Sequence, residues 1–141
     1  MSKTVKVGLI GAGFVSDLHA YSFKHFVKDA EIVAVSALEK ADEFAKEHGI
    51  PNAFEDYHEM LKMKDIDVVT VAIPNYVHRQ ATVDAAKAGK HVICEKPLCV
   101  TLEEADEMID TCKKHGVLLM YAEELLFAPK YVRAKMLIEE G

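Results

Sequence analysis

Apolar and polar positions along this 141-residue chain follow two alternating periods. Nearly unbroken apolar runs rich in β-branched residues fall at residues 5–10, 31–36, 67–73, 91–94 and 117–121, and each reads as a buried strand. Between them the apolar positions recur every three or four residues, as helices require. Ala41, Phe44, Ala45 and His48 share one face before Gly49 stops the helix. Val77, Ala81, Ala85 and Ala88 form the next stripe, ended by Gly89. Thr101 and Glu104 have capping-box spacing ahead of Leu102, Ala105, Ile109 and Cys112, and Gly116 follows. Residues 53–54 read as a short edge strand that leads into a brief helix over 55–61. A first helix runs from the Gly11-Ala12-Gly13 turn towards Phe23 or Phe26, and Pro129 opens a last one towards Glu140.

Strands alternating with helices imply parallel pairing through right-handed crossovers. The expected fold class is therefore α/β, a doubly wound and mostly parallel sheet of Rossmann type. One domain spans residues 1–141, with its core in 1–121 and the final helix at about 129–140. Such sheets bind ligands at the carboxyl ends of their strands. That rule brings Gly11 to Val15, Ser36 to Glu39, Pro74 to His78 and Glu95 to Pro97 onto one rim.

Composition narrows the function classes. Half the residues are hydrophobic and the formal charge is −6 with no basic cluster, which argues against nucleic acid and against an anionic membrane as partners. No apolar run approaches the roughly 20 residues that cross a bilayer, and the N-terminus does not read as a signal peptide. Three cysteines, Cys94, Cys99 and Cys112, cannot all pair, which suits a reducing cytoplasm. Seven histidines lie scattered without metal-ligand spacing, so no metal site is expected.

Two stretches carry chemistry. In Gly11-x-Gly13-x-x-Ser16 the first glycine suits a tight turn, the second a close backbone approach to a pyrophosphate, and the small third residue close packing of helix on strand. The helix that opens there offers free N–H groups to phosphate. The plainer reading is an ordinary βα turn that happens to hold glycines. The second stretch is Cys94-Glu95-Lys96-Pro97 at the end of the fifth strand. A lysine beside a bound nicotinamide can hydrogen-bond a substrate hydroxyl and steer its proton. The alternative is a surface Glu–Lys pair before a turn proline.

Taken together, Gly11-x-Gly13-x-x-Ser16-x-x-His19, Ala72-Ile73-Pro74-Asn75-x-x-His78 and Gly89-Lys90-His91-Val92-x-x-Glu95-Lys96-Pro97 resemble the N-terminal domain of the glucose–fructose oxidoreductase / inositol dehydrogenase (Gfo/Idh/MocA) family. The resemblance covers essentially the whole chain. It implies NAD or NADP as cofactor and a sugar or polyol whose secondary hydroxyl is oxidised. Gly11, Gly13, Phe14 and Val15 would line the pyrophosphate and adenosine side, with Ser36 at the end of the second strand. Ile73, Pro74, Asn75 and His78 would sit near the nicotinamide ribose. Glu95 and Lys96 would approach the reactive carbon, Lys96 as the catalytic lysine, with a cis Lys96–Pro97 bond.

Individual residues keep a second reading. His78 either faces the cofactor or packs the helix it opens. His19 either points at the cofactor or, the simpler expectation, is satisfied by a neighbouring backbone group. Cys94 reads as a small core residue rather than a nucleophile. Two departures from the family pattern stand out. The acidic or Ser-Arg reader expected after the second strand is missing at Ala37, leaving Glu39 and Lys40 as the nearest charges. The larger substrate domain expected after the last helix is also absent, so this length of chain is expected to bind cofactor without turnover, and to be open to homo-oligomer formation. A non-catalytic module that senses NAD(P) or a sugar is the competing reading. A flavodoxin-like domain is disfavoured, because Ile10 and Ile73 stand where acidic phospho-acceptor residues belong.

Overall fold

The computed structural model describes residues 4–141. Six strands form one all-parallel sheet in the order β3-β2-β1-β4-β5-β6. They are β1 (Val5–Ile10), β2 (Ala30–Ser36), β3 (Asn52–Phe54), β4 (Val68–Val71), β5 (His91–Glu95) and β6 (Leu119–Ala122). The helices are α1 (Phe14–Phe26), α2 (Ala41–His48), α3 (Tyr57–Leu61), α4 (His78–Lys87), α5 (Leu102–Lys114) and α6 (Pro129–Glu140). This strand order reverses direction between β1 and β4, where a doubly wound sheet opens its ligand crevice.

The pleat of β1 explains the two layers. Val7 and Leu9 face one side and pack with Ala20 of α1, Phe44 and Ala45 of α2, and Ile50. Ile10 faces the other side, in a larger cluster with Met60 of α3, Ala81 and Ala85 of α4, and Met108 of α5. Gly8 also faces that layer, and its missing side chain leaves room for Met60, whose Cε and Sδ lie 3.2 and 3.3 Å from where a Cβ would sit. Both faces of β1 and β4 are buried, which is why those segments read as continuous apolar runs rather than alternating ones.

The expected elements are present, with shifted ends. The strand expected over 67–73 is only Val68–Val71. The Ala72 amide still bonds the Ile10 carbonyl at 2.8 Å, but Pro74 has no N–H to continue the ladder. The strand expected over 117–121 sits later, at Leu119–Ala122, because residues 115–118 unwind α5 around Gly116. A single 3-10 turn, Asn75–Val77, precedes α4. The capping box forms as expected, with the Glu104 amide donating to Thr101 Oγ1 at 3.3 Å, while the Glu104 carboxylate reaches back to the Val100 amide at 2.9 Å. Pro129 occupies the first turn of α6, and α6 buries none of its residues. Among the described residues no helix is long and apolar enough to cross a membrane.

Candidate functional site

The carboxyl ends of β1, β2, β4 and β5 converge on one crevice. At its floor the chain leaves β1 through Gly11, whose φ of +118° is a conformation that side-chain-bearing residues rarely adopt. The Gly11 amide donates to the Ser36 carbonyl at 2.7 Å, which ties the turn to the end of β2. Gly13 is the N-cap of α1, and no side chain caps that helix end. A Cβ on Gly13 would meet nothing within 4 Å. Open space therefore lies in front of the free N–H groups of α1, the arrangement that receives a phosphate. Ser16 supplies the close packing behind them: it is fully buried, with its hydroxyl 3.1 Å from the position of a Gly11 Cβ.

Two hollows meet here. One, of about 480 Å³, is lined by residues 11–15, Ala37, Leu38, Ala72, Ile73, Pro74, Glu95 and Lys96. The other, of about 590 Å³, runs between α1 and the segment after β6, from Val15, Leu18, His19 and Ser22 to Tyr121, Glu123 and Phe127. Phe14, Val15, Glu95 and Lys96 line both, so the lysine stands at their junction.

The expected site residues divide by position. Gly11, Gly13, Phe14, Val15, Ile73, Pro74, Glu95 and Lys96 line the first hollow. Asn75 is exposed at the start of the 3-10 turn beside it. Ser36 is buried and reaches the site through the Gly11 amide bonded to its carbonyl. His78 lies beneath the rim, 1% exposed, with Nδ1 2.9 Å from the Pro97 carbonyl and Nε2 2.8 Å from the Ile73 carbonyl. It braces the loop after β4 against the turn after β5. That turn contains the expected cis Lys96–Pro97 bond.

His19 differs from the simpler expectation. Its partner is the Glu95 carboxylate, with Nε2 2.8 Å from Oε1, rather than a backbone group. The second Glu95 oxygen accepts the Lys96 backbone N–H at 3.0 Å. Tyr121 in β6 and Glu123 just after it also line the second hollow, and neither is among the expected site residues. The spacing of Phe14, Val15, Leu18, His19 and Ser22 was a usable signal, since it describes one stripe of α1 facing the groove. Cys94 is fully buried, and burial pushes its thiol up to about 12, so it is a core residue.

The chain as a whole has close counterparts among known proteins. Residues 5–123 match the family described as an oxidoreductase family with an NAD-binding Rossmann fold. The levoglucosan dehydrogenase of Pseudarthrobacter phenanthrenivorans is 34% identical over 99% of this chain and 38% of its own length. The myo-inositol 2-dehydrogenase of Thermotoga maritima is 32% identical over 97% of the chain and 41% of its length. The structure of scyllo-inositol dehydrogenase from Lactobacillus casei, with bound NAD(H) and scyllo-inositol, superposes with a TM-score of 0.90 at 30% identity, covering 99% of this chain and 42% of that one. The chain thus spans about two-fifths of the length of these relatives. With the family match running over residues 5–123 and these relatives at 30% identity or more along nearly the whole chain, the chain belongs to the Gfo/Idh/MocA oxidoreductases, as their NAD-binding Rossmann domain.

Proposed function

We propose that this domain binds NAD or NADP for a dehydrogenase that oxidises a secondary hydroxyl of a sugar or polyol. The observation that carries the reading is the position of Lys96 at the junction of the two hollows. The crevice suits a dinucleotide on its own terms: Gly11 makes the turn, Gly13 leaves open space, and α1 presents uncapped N–H groups to a pyrophosphate. Ile73 and Pro74 would flank the nicotinamide ribose. Bound nicotinamide supplies the hydride acceptor.

The chain's own residues do the rest. The Lys96 amine would hydrogen-bond the substrate hydroxyl and take or relay its proton as the carbonyl forms. Phe14, Leu18, Tyr121 and Phe127 give the second hollow apolar walls beside that proton transfer. These residues form one side of the groove, and hydride transfer needs the substrate carbon held from more than one side. A polypeptide of these 141 residues is accordingly expected to bind cofactor without measurable turnover. Three free thiols and a nicotinamide cofactor fit a cytoplasmic setting, and the uncovered α6 offers a surface for self-association.

The test is titration with NADH and NADPH, followed by a screen of polyols and sugars on the longest available form of the protein with a Lys96→Ala control. Turnover that survives Lys96→Ala would remove the lysine from the mechanism.

A further inference from the structure

Glu95 and Lys96 both line the two hollows, which makes the Glu95 carboxylate a candidate ion-pair partner for the amine. Both Glu95 oxygens are engaged elsewhere. Glu95 Oε1 is 2.8 Å from His19 Nε2, and Oε2 accepts the Lys96 backbone N–H at 3.0 Å. The side chains are 18% exposed at His19 and 13% at Glu95, so the bond is partly shielded from competing water. Of the groove's two other carboxylates, Glu123 accepts the Leu125 amide at 3.3 Å, and Glu124 makes no ion pair with Lys96. Among the described residues, the Lys96 Nζ makes no hydrogen bond and no ion pair.

We propose that His19 is a positioning residue that holds the Glu95 carboxylate away from the Lys96 amine, leaving that amine free to meet the substrate hydroxyl. A lysine paired with a carboxylate is held protonated and directed at its partner, so it is a poor group for accepting a proton. His19 also joins α1, which begins at the glycine turn, to the corner after β5. One bond therefore ties the phosphate-binding helix to the reactive lysine. The inference rests on the reading of Lys96 as the amine that faces substrate.

The test measures the reactivity of Lys96 directly. The chain is acylated briefly at mildly alkaline pH, and peptide mass spectrometry compares Lys96 with Lys113, an exposed lysine on α5. His19→Leu frees Glu95, and the Lys96:Lys113 ratio is expected to fall about threefold to tenfold. Adding Glu95→Gln should restore the ratio, and His19→Gln, which keeps an N–H donor near the same place, should hold it close to wild type. A purely structural role for His19 would not produce that rescue. An unchanged ratio in folded His19→Leu, or a fall that Glu95→Gln does not reverse, overturns the proposal. Glu95→Gln alone supplies a check that needs no change at His19. It should leave the ratio within about twofold, and a rise of about tenfold would mean that Glu95 already holds the amine. Failure of NADH binding would sink the dehydrogenase reading while leaving these ratios interpretable.

Discussion

A Cβ placed on Gly11 would lie 2.2 Å from the carbonyl oxygen of Ala72. The turn after β1 is thus pressed against the backbone that leaves β4, with no flexible side chain able to yield. The positive φ of Gly11 adds strain of its own for any residue with a side chain. Gly11→Ala should destabilise the domain by about 3 kcal/mol or more, read by chemical denaturation. A loss under about 1 kcal/mol would show that the loop relaxes more easily than this contact implies.

Lys90 should matter for stability rather than for binding. It is 6% exposed, and its Nζ donates to the carbonyls of Met63 at 2.7 Å and Ile66 at 2.9 Å. Burial lowers its pKa, with Asp65 and Asp67 opposing that shift. Lys90→Met keeps the stem but strands the two carbonyls, and should cost about 1–3 kcal/mol. NADH affinity should not change, since neither hollow at the crevice includes residue 90.

His58 gives a pH-dependent prediction. Its Nδ1 lies 2.7 Å from Asp56 Oδ1, and its Nε2 lies 3.3 Å from Asp84 Oδ2, which also accepts the Tyr57 hydroxyl at 2.9 Å. The hydrogen bond to Asp56 raises the His58 pKa above its ordinary 6.5. The His58 amide, followed by the ring, lowers that of Asp56 below 3.8. A raised histidine stabilises fully below 6.5 and loses that contribution as pH climbs through the folded value. A lowered carboxylate contributes above 3.8 and loses its part as pH falls through its folded value. The melting-temperature advantage of wild type over His58→Gln should therefore be largest near about pH 5 and shrink by about pH 8. An advantage that grows over that range would contradict the pairing.

Much of this fold was legible because β1 and β4 are buried on both faces and the helices carry clean stripes closed by Gly49, Gly89 and Gly116. Local chemistry also gave the glycine turn and the cap at Thr101. Contacts across long sequence distances were less accessible. The Glu95 partner of His19 lies 76 residues away, and only the assembled β1-α1-β4-β5 rim brings the two together. His78 had two open readings for the same reason, since its partners sit on two separate loops. The apolar pattern overruns the end of β4, because Ala72 and Ile73 are as apolar as a strand although Pro74 takes the chain out of the ladder.

Discrimination between NAD and NADP should be weak. After β2 the first hollow is lined by Ala37 and by Leu38, which is 90% exposed, and its charged lining residues are Glu95 and Lys96 at the other end. No carboxylate of that lining stands ready for ribose hydroxyls, and no arginine for a 2′-phosphate. The two affinities should agree within about 100-fold, or roughly 2.7 kcal/mol. Leu38→Asp should move the preference towards NAD by about tenfold in parallel titrations.

The open space at Gly13 is where a dinucleotide pyrophosphate should sit. Nothing lies within 4 Å of a Cβ at that position, and its φ of −102° suits ordinary residues, so Gly13→Val should fold with a cost of no more than about 1 kcal/mol. The direct measurement is a calorimetric titration of NADH into wild type and folded Gly13→Val side by side. Wild type should bind with a dissociation constant at or below about 1 mM, and the variant should bind at least about 30-fold more weakly. Equal affinities in the two proteins would contradict the assignment of this crevice.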